Sequence, residues 1–331
     1  MALTHKSILS DEFRSSGVEV FSYNRKLPID LGLVFKLKRI VNEKSVEVIH
    51  THQAVDGLHA YLTKKITGVK IVMSFHGHIP SLKDDSTLKF LIPRMDANIA
   101  VSNSFLKRLS EEIKFNTSRN FHVIYNGIDI RKFYPTDKKF RRELNLKDTD
   151  VLLGMVGNFN NDVRDQLTIC KTLPSILRKY SNAHFAFVGG KSENYPRFFD
   201  DCFNFCKENH LLDRVHFVGA RIDINDVLNS LNIFVYSSNH DTFGIAVIEA
   251  MISGLPIIIN DLPALLEVTN NGKYASVFKS KSPEDLENKI ITIIKNESER
   301  NKQADSGKEW AFKQFNIVNH IENLKKLYLS L

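Results

Sequence analysis

The sequence predicts an α/β protein with two doubly wound domains, each built around a parallel sheet. Short β-branched runs alternate with amphipathic stretches from one end of the chain to the other, a pattern typical of parallel sheets covered by helices on both faces. At 331 residues the chain is long for one hydrophobic core and sufficient for two. A turn-rich, charged segment at Asn126–Asp148 separates the two halves of this pattern.

The predicted strands are short runs rich in valine, isoleucine and phenylalanine. They are Val18–Tyr23, Val46–His50, Val69–Phe75, Ala97–Val101, Val123–Tyr125, Val151–Val156, His184–Val188, Val215–Val218, Ile233–Tyr236, Pro256–Ile259 and Ser276–Phe278. The stretches between them have helical periodicity. In Leu33–Val41, for example, the apolar residues form one stripe and the basic residues fall on the opposite face.

The composition excludes several classes of protein. No run approaches the ~18 consecutive apolar residues of a membrane span, and Met1–Lys6 lacks the features of a signal peptide. Cys170, Cys202 and Cys206 are too few for a disulfide framework and lack metal-ligand spacing. We therefore expect a cytoplasmic protein.

The formal net charge of +7 is unevenly distributed. Met1–Tyr134 holds 20 of the 45 Lys and Arg residues but 13 of the 38 Asp and Glu residues, so the whole positive excess lies there. A solvated face explains this as well as an anionic partner does. If there is such a partner, we expect peripheral contact with anionic lipid at the inner face of the membrane. Nucleic acid is not expected. The clusters are Lys36/Lys38/Arg39, Lys64/Lys65, Lys107/Arg108 and Arg131/Lys132.

The most informative segment is 237–256, which reads SSNHDTFGIAVIEAMISGLP. A predicted strand runs into a polar turn, and Gly244 then begins a helix. The N–H groups at a helix N-terminus suit phosphates, and a glycine there lets a ligand approach closely. Asp241 lies just outside this end and Glu249 eight residues later. One carboxylate can thus reach a sugar, while the other accepts hydrogen bonds from ribose hydroxyls.

This segment resembles the signature of glycosyltransferase family 4, whose members are retaining enzymes of the GT-B fold. That signature is Glu-x7-Glu within E-G-F-G-x-x-x-x-E-A-M-A-x-G-x-P, and Asp241–Gly244 and Glu249–Pro256 match it nearly position by position. The resemblance implies that Asp241 is catalytic, contacting the donor sugar, and that Glu249 holds the nucleotide ribose. Asp241 is one methylene shorter than the family's glutamate. The turn residues implied to bind the donor are Phe243, Gly244 and Ile245.

Three further segments resemble parts of the same family. Gly157–Gln166 is similar to its G-R/N-x…K-D-Q segment, which implies that Gly157, Asn158 and Arg164 meet the donor, with Arg164 replacing a lysine on the diphosphate. Val215–Asp223 resembles the segment that borders the nucleotide base, which implies donor contacts for Arg221 and the neighbouring Gly189. The turn 123–129 resembles the family's interdomain turn and is interpreted as architecture.

Two histidine motifs lie at the ends of predicted strands. Phe75-His76-Gly77 resembles the family's strand-end H-G, which implies that His76 is catalytic and contacts the donor sugar or the acceptor. His50-Thr51-His52 resembles its H-x-H. Because no third ligand lies within reach in the sequence, we predict no metal there.

The resemblance implies a GT-B fold, in which two Rossmann-like domains face a cleft. Family members begin with a strand, a Gly-rich turn and a helix that have no counterpart before Gly17 here. We therefore expect an incomplete start and a gap in the first sheet. The expected segments are an acceptor-side domain, a domain that binds the nucleotide sugar, and a helix that crosses back to the first domain, at 1–134, 135–310 and 311–331.

The implied activity is retaining transfer of a sugar from a nucleotide-diphosphate donor, UDP- or GDP-linked, to a lipid-linked or saccharide acceptor in polysaccharide or glycolipid synthesis. We expect no cofactor and no metal, because no Asp-x-Asp is present and Arg164 with the helix N-terminus can offset charge on the leaving diphosphate. Two alternatives stay open: a nucleotide-sugar 2-epimerase of the same fold and a catalytically impaired sugar-nucleotide-binding protein. A nicotinamide dehydrogenase is disfavoured because no G-x-G-x-x-G follows a strand.

Overall fold

The computed structural model describes residues 2–4, 8–78, 81–117 and 120–331. The chain divides into two compact units. The first comprises Met1–Val101, Leu106–Val123 and Lys326–Leu331, and the second comprises Ser102–Phe105 and Ile124–Lys325.

The described residues of the first unit form two parallel sheets. Its strands are β1 (Ala2–Thr4), β2 (Val20–Ser22), β3 (Val48–Thr51), β4 (Lys70–Phe75), β5 (Ala97–Ala100) and β6 (Phe121–Val123). Strands β3 to β6 form one sheet in chain order, with every neighbouring pair parallel. Strands β1 and β2 pair in parallel as a separate two-stranded sheet.

Helices connect these strands as the sequence predicts. They are α1 (Ile8–Ser15), α2 (Leu31–Lys44), α3 (Ala54–Thr67), α4 (Leu82–Leu91), followed by a 3₁₀ turn at Ile92–Arg94, and α5 (Asn103–Ile113), whose first three residues belong to the second unit. Asp30 caps α2, because its carboxylate accepts the N–H groups of Gly32 and Leu33. The predicted apolar stripe of this helix is confirmed, since Leu33 and Val41 are buried.

A cavity of about 470 Å³ lies between β2, α2, α3 and β3. Strand β3 is the edge of its sheet in the part of the chain described. The apolar face of α2 and the side chains of β3 line this space, with Phe21 and Tyr23 on the β2 side. A gap was expected in the first sheet. In the described residues, β1 and β2 form a sheet separate from β3 to β6, and the cavity lies between β2 and β3.

The second unit is built on one parallel sheet in the order β12-β11-β10-β7-β8-β9. Its strands are β7 (Val151–Val156), β8 (Ala183–Val188), β9 (Val215–Gly219), β10 (Ile233–Tyr236), β11 (Ile257–Asn260) and β12 (Ser276–Phe278). The central strands are buried along almost their whole length because helices cover both faces.

The helices of the second unit alternate with these strands and then continue beyond them. They are α6 (Lys139–Glu143), α7 (Gln166–Lys179), α8 (Arg197–Glu208), α9 (Ile224–Ser230), α10 (Ile245–Ile252), α11 (Pro263–Val268), α12 (Pro283–Lys295), α13 (Glu297–Phe315) and α14 (Ile317–Leu329). A 3₁₀ turn at Ile130–Lys132 precedes α6.

The end of the chain differs in detail from the expected helix at 311–331. No helix begins at position 311, because α13 continues through it to Phe315. This helix packs within the second unit: Trp310 donates to the Val268 carbonyl, and Ala311 and Phe315 are buried. A second helix, α14, starts at Ile317. Only the last six residues belong to the first unit, where the Tyr328 hydroxyl contacts the His50 ring.

The predicted fold class is confirmed, because both units are α/β with parallel sheets. Strand β1 was not predicted, since three residues give no alternating pattern. The predicted strand Val123–Tyr125 was placed too late. The structure ends β6 at Val123, and Tyr125 instead donates from its hydroxyl to Glu267 of the second unit, at 3.0 Å.

We expect backbone amides of β3 to exchange with solvent faster than those of β7. Strand β7 is hydrogen-bonded between β8 and β10, whereas β3 pairs on one side with β4 and has the cavity on the other. Hydrogen exchange read by mass spectrometry on peptides covering 48–51 and 151–156 measures the difference. Equal protection of both peptides would contradict this account of the first sheet.

Candidate functional site

The carboxyl end of β10 leads into the turn that carries Asp241, Phe243 and Gly244 of the predicted site. Ser237 and Ser238 are buried directly after the strand. The side chain of Asn260, at the end of β11, fixes this turn: its carbonyl accepts the Ser238 N–H at 3.0 Å and its amide donates to the Ser238 carbonyl at 2.8 Å. The turn is therefore held to the sheet edge where ligands of such folds bind.

Gly244 makes the transition from this turn to α10. Its φ of +84° lies in the left-handed region, which side chains with a Cβ rarely adopt. A Cβ there would also lie 2.8 Å from a Leu265 methyl group. The helix that follows buries Val247, Ile248 and Met251, so that its first turn is rigidly placed.

The Asp241 carboxylate lies within this turn and is almost fully engaged. Its Oδ1 accepts the backbone N–H groups of Thr242, Phe243 and Gly244, at 2.8, 3.1 and 3.0 Å. We call these three N–H groups the nest, because successive backbone N–H groups around a left-handed residue form an anion-binding concavity. The other oxygen, Oδ2, accepts the hydroxyl of Tyr236 at 3.0 Å.

Arg164 adds a positive charge to the same place. Its Nη1 lies 3.3 Å from Asp241 Oδ2 and donates to Ser238 Oγ at 3.1 Å. The guanidinium also lies over the ring of Tyr236, with 5.3 Å between the guanidinium carbon and the ring centroid. The structure therefore brings Arg164 and Asp241 together as an ion pair.

Gly157, Asn158 and Gly189 form two closely packed loop backbones at the ends of β7 and β8. A Cβ on Gly189 would lie 2.2 Å from the Gly157 carbonyl oxygen, so glycine is required there for backbone packing. The side-chain oxygen Oδ1 of Asn158 accepts the Gly190 N–H at 2.8 Å. A Cβ on Gly157 would lie 3.5 Å from the Arg164 side chain, which places this loop beside the ion pair.

Glu249 lies on α10, the helix that follows the nest, and most of its side chain is buried. Burial raises the pKa of its carboxyl to about 7, and the positive charge of Lys132 acts in the opposite direction. A buried acid with a pKa near neutrality is common at functional sites.

Arg221 is held by protein carboxylates. It makes a two-bond contact with Asp223 at 2.8 and 2.6 Å and a third bond to Glu143 at 2.7 Å. Its guanidinium also lies over the Phe140 ring at 5.0 Å. Both carboxylates hold the pKa of Arg221 well above its ordinary value. The structure thus gives Arg221 a role in joining β9 to α6.

Phe243 and Ile245, which flank Gly244 in the sequence, differ in exposure. The Phe243 ring is buried against Tyr125 and Phe315, with ring centroids 5.7 and 5.6 Å away, so only its backbone belongs to the nest. Ile245, by contrast, is 46% exposed.

His76 lies in the first unit, within a row of three histidines. His52 Nδ1 and His76 Nε2 are 2.9 Å apart, and the rings of His50 and His52 stack with centroids 4.5 Å apart. His50 is itself held by Ser74 Oγ at 2.7 Å and by the Tyr328 hydroxyl. Burial lowers the pKa of His52, because it disfavours the charged form of the ring.

Two findings concern the described part of the chain as a whole. No group of three or more His, Cys, Asp or Glu side chains there is arranged to hold a metal ion. In the same residues, none of the helices combines the length and apolar character needed to cross a bilayer.

Three residues beside the predicted site had not been predicted to have a functional role: Tyr236, Ser238 and His52. Tyr236 bonds to Asp241, and Ser238 bonds to Arg164. The sequence feature that could have indicated them is their position at the end of the strand before the recognised motif. His52 had a signal in the H-x-H motif, but its contact with His76 depends on β3 and β4 being neighbours.

Comparison with protein families decides the identity of the chain. The model described as glycosyl transferases group 1 matches residues 136–310, and the glycosyltransferase family 4 model matches residues 4–132. The chain belongs to the glycosyl transferases group 1 family. The predicted resemblance to family 4 is therefore confirmed.

Relatives and similar solved structures extend along almost the whole chain. The N-acetyl-alpha-D-glucosaminyl L-malate synthase of Bacillus anthracis is 25% identical, over 96% of this chain and 84% of its own length. The UDP-Gal:alpha-D-GlcNAc-diphosphoundecaprenol alpha-1,3-galactosyltransferase of Escherichia coli is 22% identical, over 98% and 85%. The structure of HepE from Anabaena in complex with UDP and glucose superposes with a TM-score of 0.85 at 18% identity, over 100% and 92%. This last similarity concerns the fold.

The burial of Glu249 predicts a pH-dependent gain in stability for Glu249→Gln. The folded-state pKa of about 7 lies above the ordinary value of 4.5, so folding favours the protonated form and stability is lost as pH rises through this window. Glutamine carries no charge to bury. We expect the variant to unfold at a higher temperature than wild type at pH 8, with the difference shrinking towards pH 4.5.

Thermal unfolding at several pH values measures this difference. Glu309→Gln, on the exposed side of α13, is the matched control and should follow the wild type at every pH. A pH-independent offset for Glu249→Gln would show that this carboxyl is not the group that titrates.

Proposed function

We propose that this chain transfers a sugar from a UDP- or GDP-linked donor to an acceptor hydroxyl, with retention at the anomeric carbon and without a metal ion. In this proposal the second unit binds the donor, and His76 has the catalytic role that the family resemblance implies. The acceptor is a lipid-linked or free saccharide, and the product belongs to a polysaccharide or glycolipid.

The observation that carries the proposal is the cluster of Arg164, the nest and Asp241 at the carboxyl ends of β7 and β10. Transfer leaves a nucleoside diphosphate, whose developing charge must be stabilised. A guanidinium and three preorganised N–H groups can do this without an ion, because a guanidinium binds phosphate through two parallel hydrogen bonds. The carboxylate beside them can hold the sugar.

Glu249 fits the second role that the family signature implies. When ionised, a carboxylate accepts hydrogen bonds from both hydroxyls of a ribose. With a pKa of about 7, Glu249 is poised to lose its proton when such donors arrive. Exposed Ile245 lies one helical turn before Glu249, and the loop at 157–158 lies beside Arg164.

Relatives support the substrate classes. The Escherichia coli relative takes galactose from UDP-Gal to a diphosphoundecaprenol-linked sugar, and the HepE structure contains UDP and glucose. A nucleotide sugar and a lipid-linked saccharide are therefore the first donor and acceptor to test here.

Glu249→Ala should weaken donor binding about ten- to hundredfold, because hydrogen bonds to a charged group contribute roughly 1.5–3 kcal/mol. Saturation-transfer NMR against a panel of UDP- and GDP-sugars selects the donor, and calorimetry then compares the variant with wild type. Glu309→Ala serves as the exposed control. Unchanged affinity in Glu249→Ala would overturn the ribose assignment.

Turnover with the selected donor should survive EDTA and give a product of unchanged anomeric configuration by NMR. Loss of turnover with chelator, restored by manganese or magnesium, would contradict the metal-free mechanism. An inverted product would contradict retention.

A second candidate is a protein that binds a sugar nucleotide without transferring the sugar. The observation that favours it is that Asp241 is short and fully engaged by the nest, Tyr236 and Arg164. Donor binding without any product, over a panel of saccharide and lipid-linked acceptors, would select this candidate.

We also propose that the first unit contacts anionic lipid through one surface. Leu27, Ile29, Leu31 and Phe35 are 54–63% exposed in the loop before α2 and on its first turns. Lys26, Lys38 and Arg39 lie in the same segment. Exposed apolar side chains next to basic ones suit the interface of an anionic bilayer.

Binding to phosphatidylglycerol vesicles should fall steeply with salt, because the Debye length is about 10 Å at 0.1 M. The double variant Leu31→Ala/Phe35→Ala should bind more weakly than wild type. The control is Leu82→Ala, which removes a leucine that is 91% exposed elsewhere in the first unit. This variant should bind the vesicles as strongly as wild type. Equal sedimentation with neutral and anionic vesicles would count against this contact.

A further inference from the structure

The nest in this structure already holds an anion, and that anion belongs to the chain. Asp241 Oδ1 accepts all three N–H groups, at 2.8–3.1 Å. In the proposed function, these groups are the phosphate ligands that the site offers to a donor. A diphosphate oxygen and the Asp241 carboxylate oxygen therefore require the same hydrogen bonds.

The second oxygen of Asp241 competes for the other phosphate ligand. Oδ2 lies 3.3 Å from Arg164 Nη1. It also accepts the hydroxyl of Tyr236, whose side chain is fully buried. The Asp241 side chain is 9% exposed, so the occupied position is well shielded from water.

We propose that Asp241 distinguishes the sugar donor from the nucleoside diphosphate that remains after transfer. This inference rests on the proposed function. Two anions cannot share three N–H groups, so any ligand that places phosphate in the nest must displace the carboxylate. A donor compensates for this displacement, because its sugar hydroxyls donate to the displaced carboxylate.

A nucleoside diphosphate lacks those hydroxyls. When it occupies the nest, the carboxylate has lost its N–H groups and Arg164 and gains no partner in exchange. The return of Asp241 to the nest then favours release of the spent nucleotide. The same contact that holds the sugar thus keeps product affinity low.

The test compares the dissociation constants of three ligands for wild type and Asp241→Asn, by calorimetry. The ligands are UDP, uridine and a UDP-sugar, or the guanosine series if GDP-sugars bind. Asparagine retains an oxygen for the nest but carries no charge, so a phosphate displaces it more easily. We expect at least tenfold tighter binding of the nucleoside diphosphate, a smaller change for the sugar donor and no change for the nucleoside.

Asp226→Asn is the matched control, because the Asp226 carboxylate also accepts backbone N–H groups, from Lys139 and Phe140. It should leave all three constants unchanged. Tyr236→Phe removes the bond to Oδ2 while the nest remains, and it should tighten nucleoside diphosphate binding in the same direction as Asp241→Asn.

The outcomes separate this inference from the proposed function. If wild type binds nucleotides but neither variant binds the diphosphate more tightly, Asp241 does not compete for the nest and the inference is overturned alone. If diphosphate and nucleoside affinities rise together, the effect is not phosphate competition and the inference is equally wrong. If wild type binds no nucleotide or nucleotide sugar, the proposed function fails and the inference with it.

Discussion

The hydrogen bonds between the Asp241 carboxylate and three successive backbone N–H groups are the interaction on which the rest of the site depends. They fix the turn between β10 and α10, orient Arg164 through an ion pair, and give Tyr236 a buried hydrogen-bond acceptor. The left-handed conformation of Gly244 makes this arrangement accessible to the backbone. A structural cap and the proposed donor site are thus built from the same atoms.

This arrangement relates the family signature to a physical constraint. A carboxylate one methylene longer would place its oxygens farther from its own backbone, whereas the aspartate here folds back onto the next three N–H groups. Glu249 provides the contrast, because burial raises its pKa and the resting structure offers it few compensating charges. The Asp241 carboxylate therefore has hydrogen-bond partners before a donor arrives, whereas burial disfavours the charged form of Glu249.

Much of the fold and part of the site could be predicted from the sequence. The β-branched runs locate the strands of the second unit because buried parallel strands have a continuous apolar pattern, and the Asp241–Pro256 motif locates the nest. The contacts between residues far apart in the sequence could not be predicted. Arg221 pairs with Glu143, 78 positions away, and His52 meets His76 only because β3 and β4 are adjacent. Strand β1 is too short to give any periodicity.

The most direct measurement of the central claim is the backbone amide NMR signals of Phe243 and Gly244 during titration with a nucleoside diphosphate and with a sugar donor. Exchange of a carboxylate for a phosphate on these N–H groups should shift both signals, and the Asp241 carboxylate carbon should shift with them at the same ligand concentration. Amide signals that stay in place at saturation, with Asp241 unchanged, would contradict the account, because the nest would then have kept its own carboxylate.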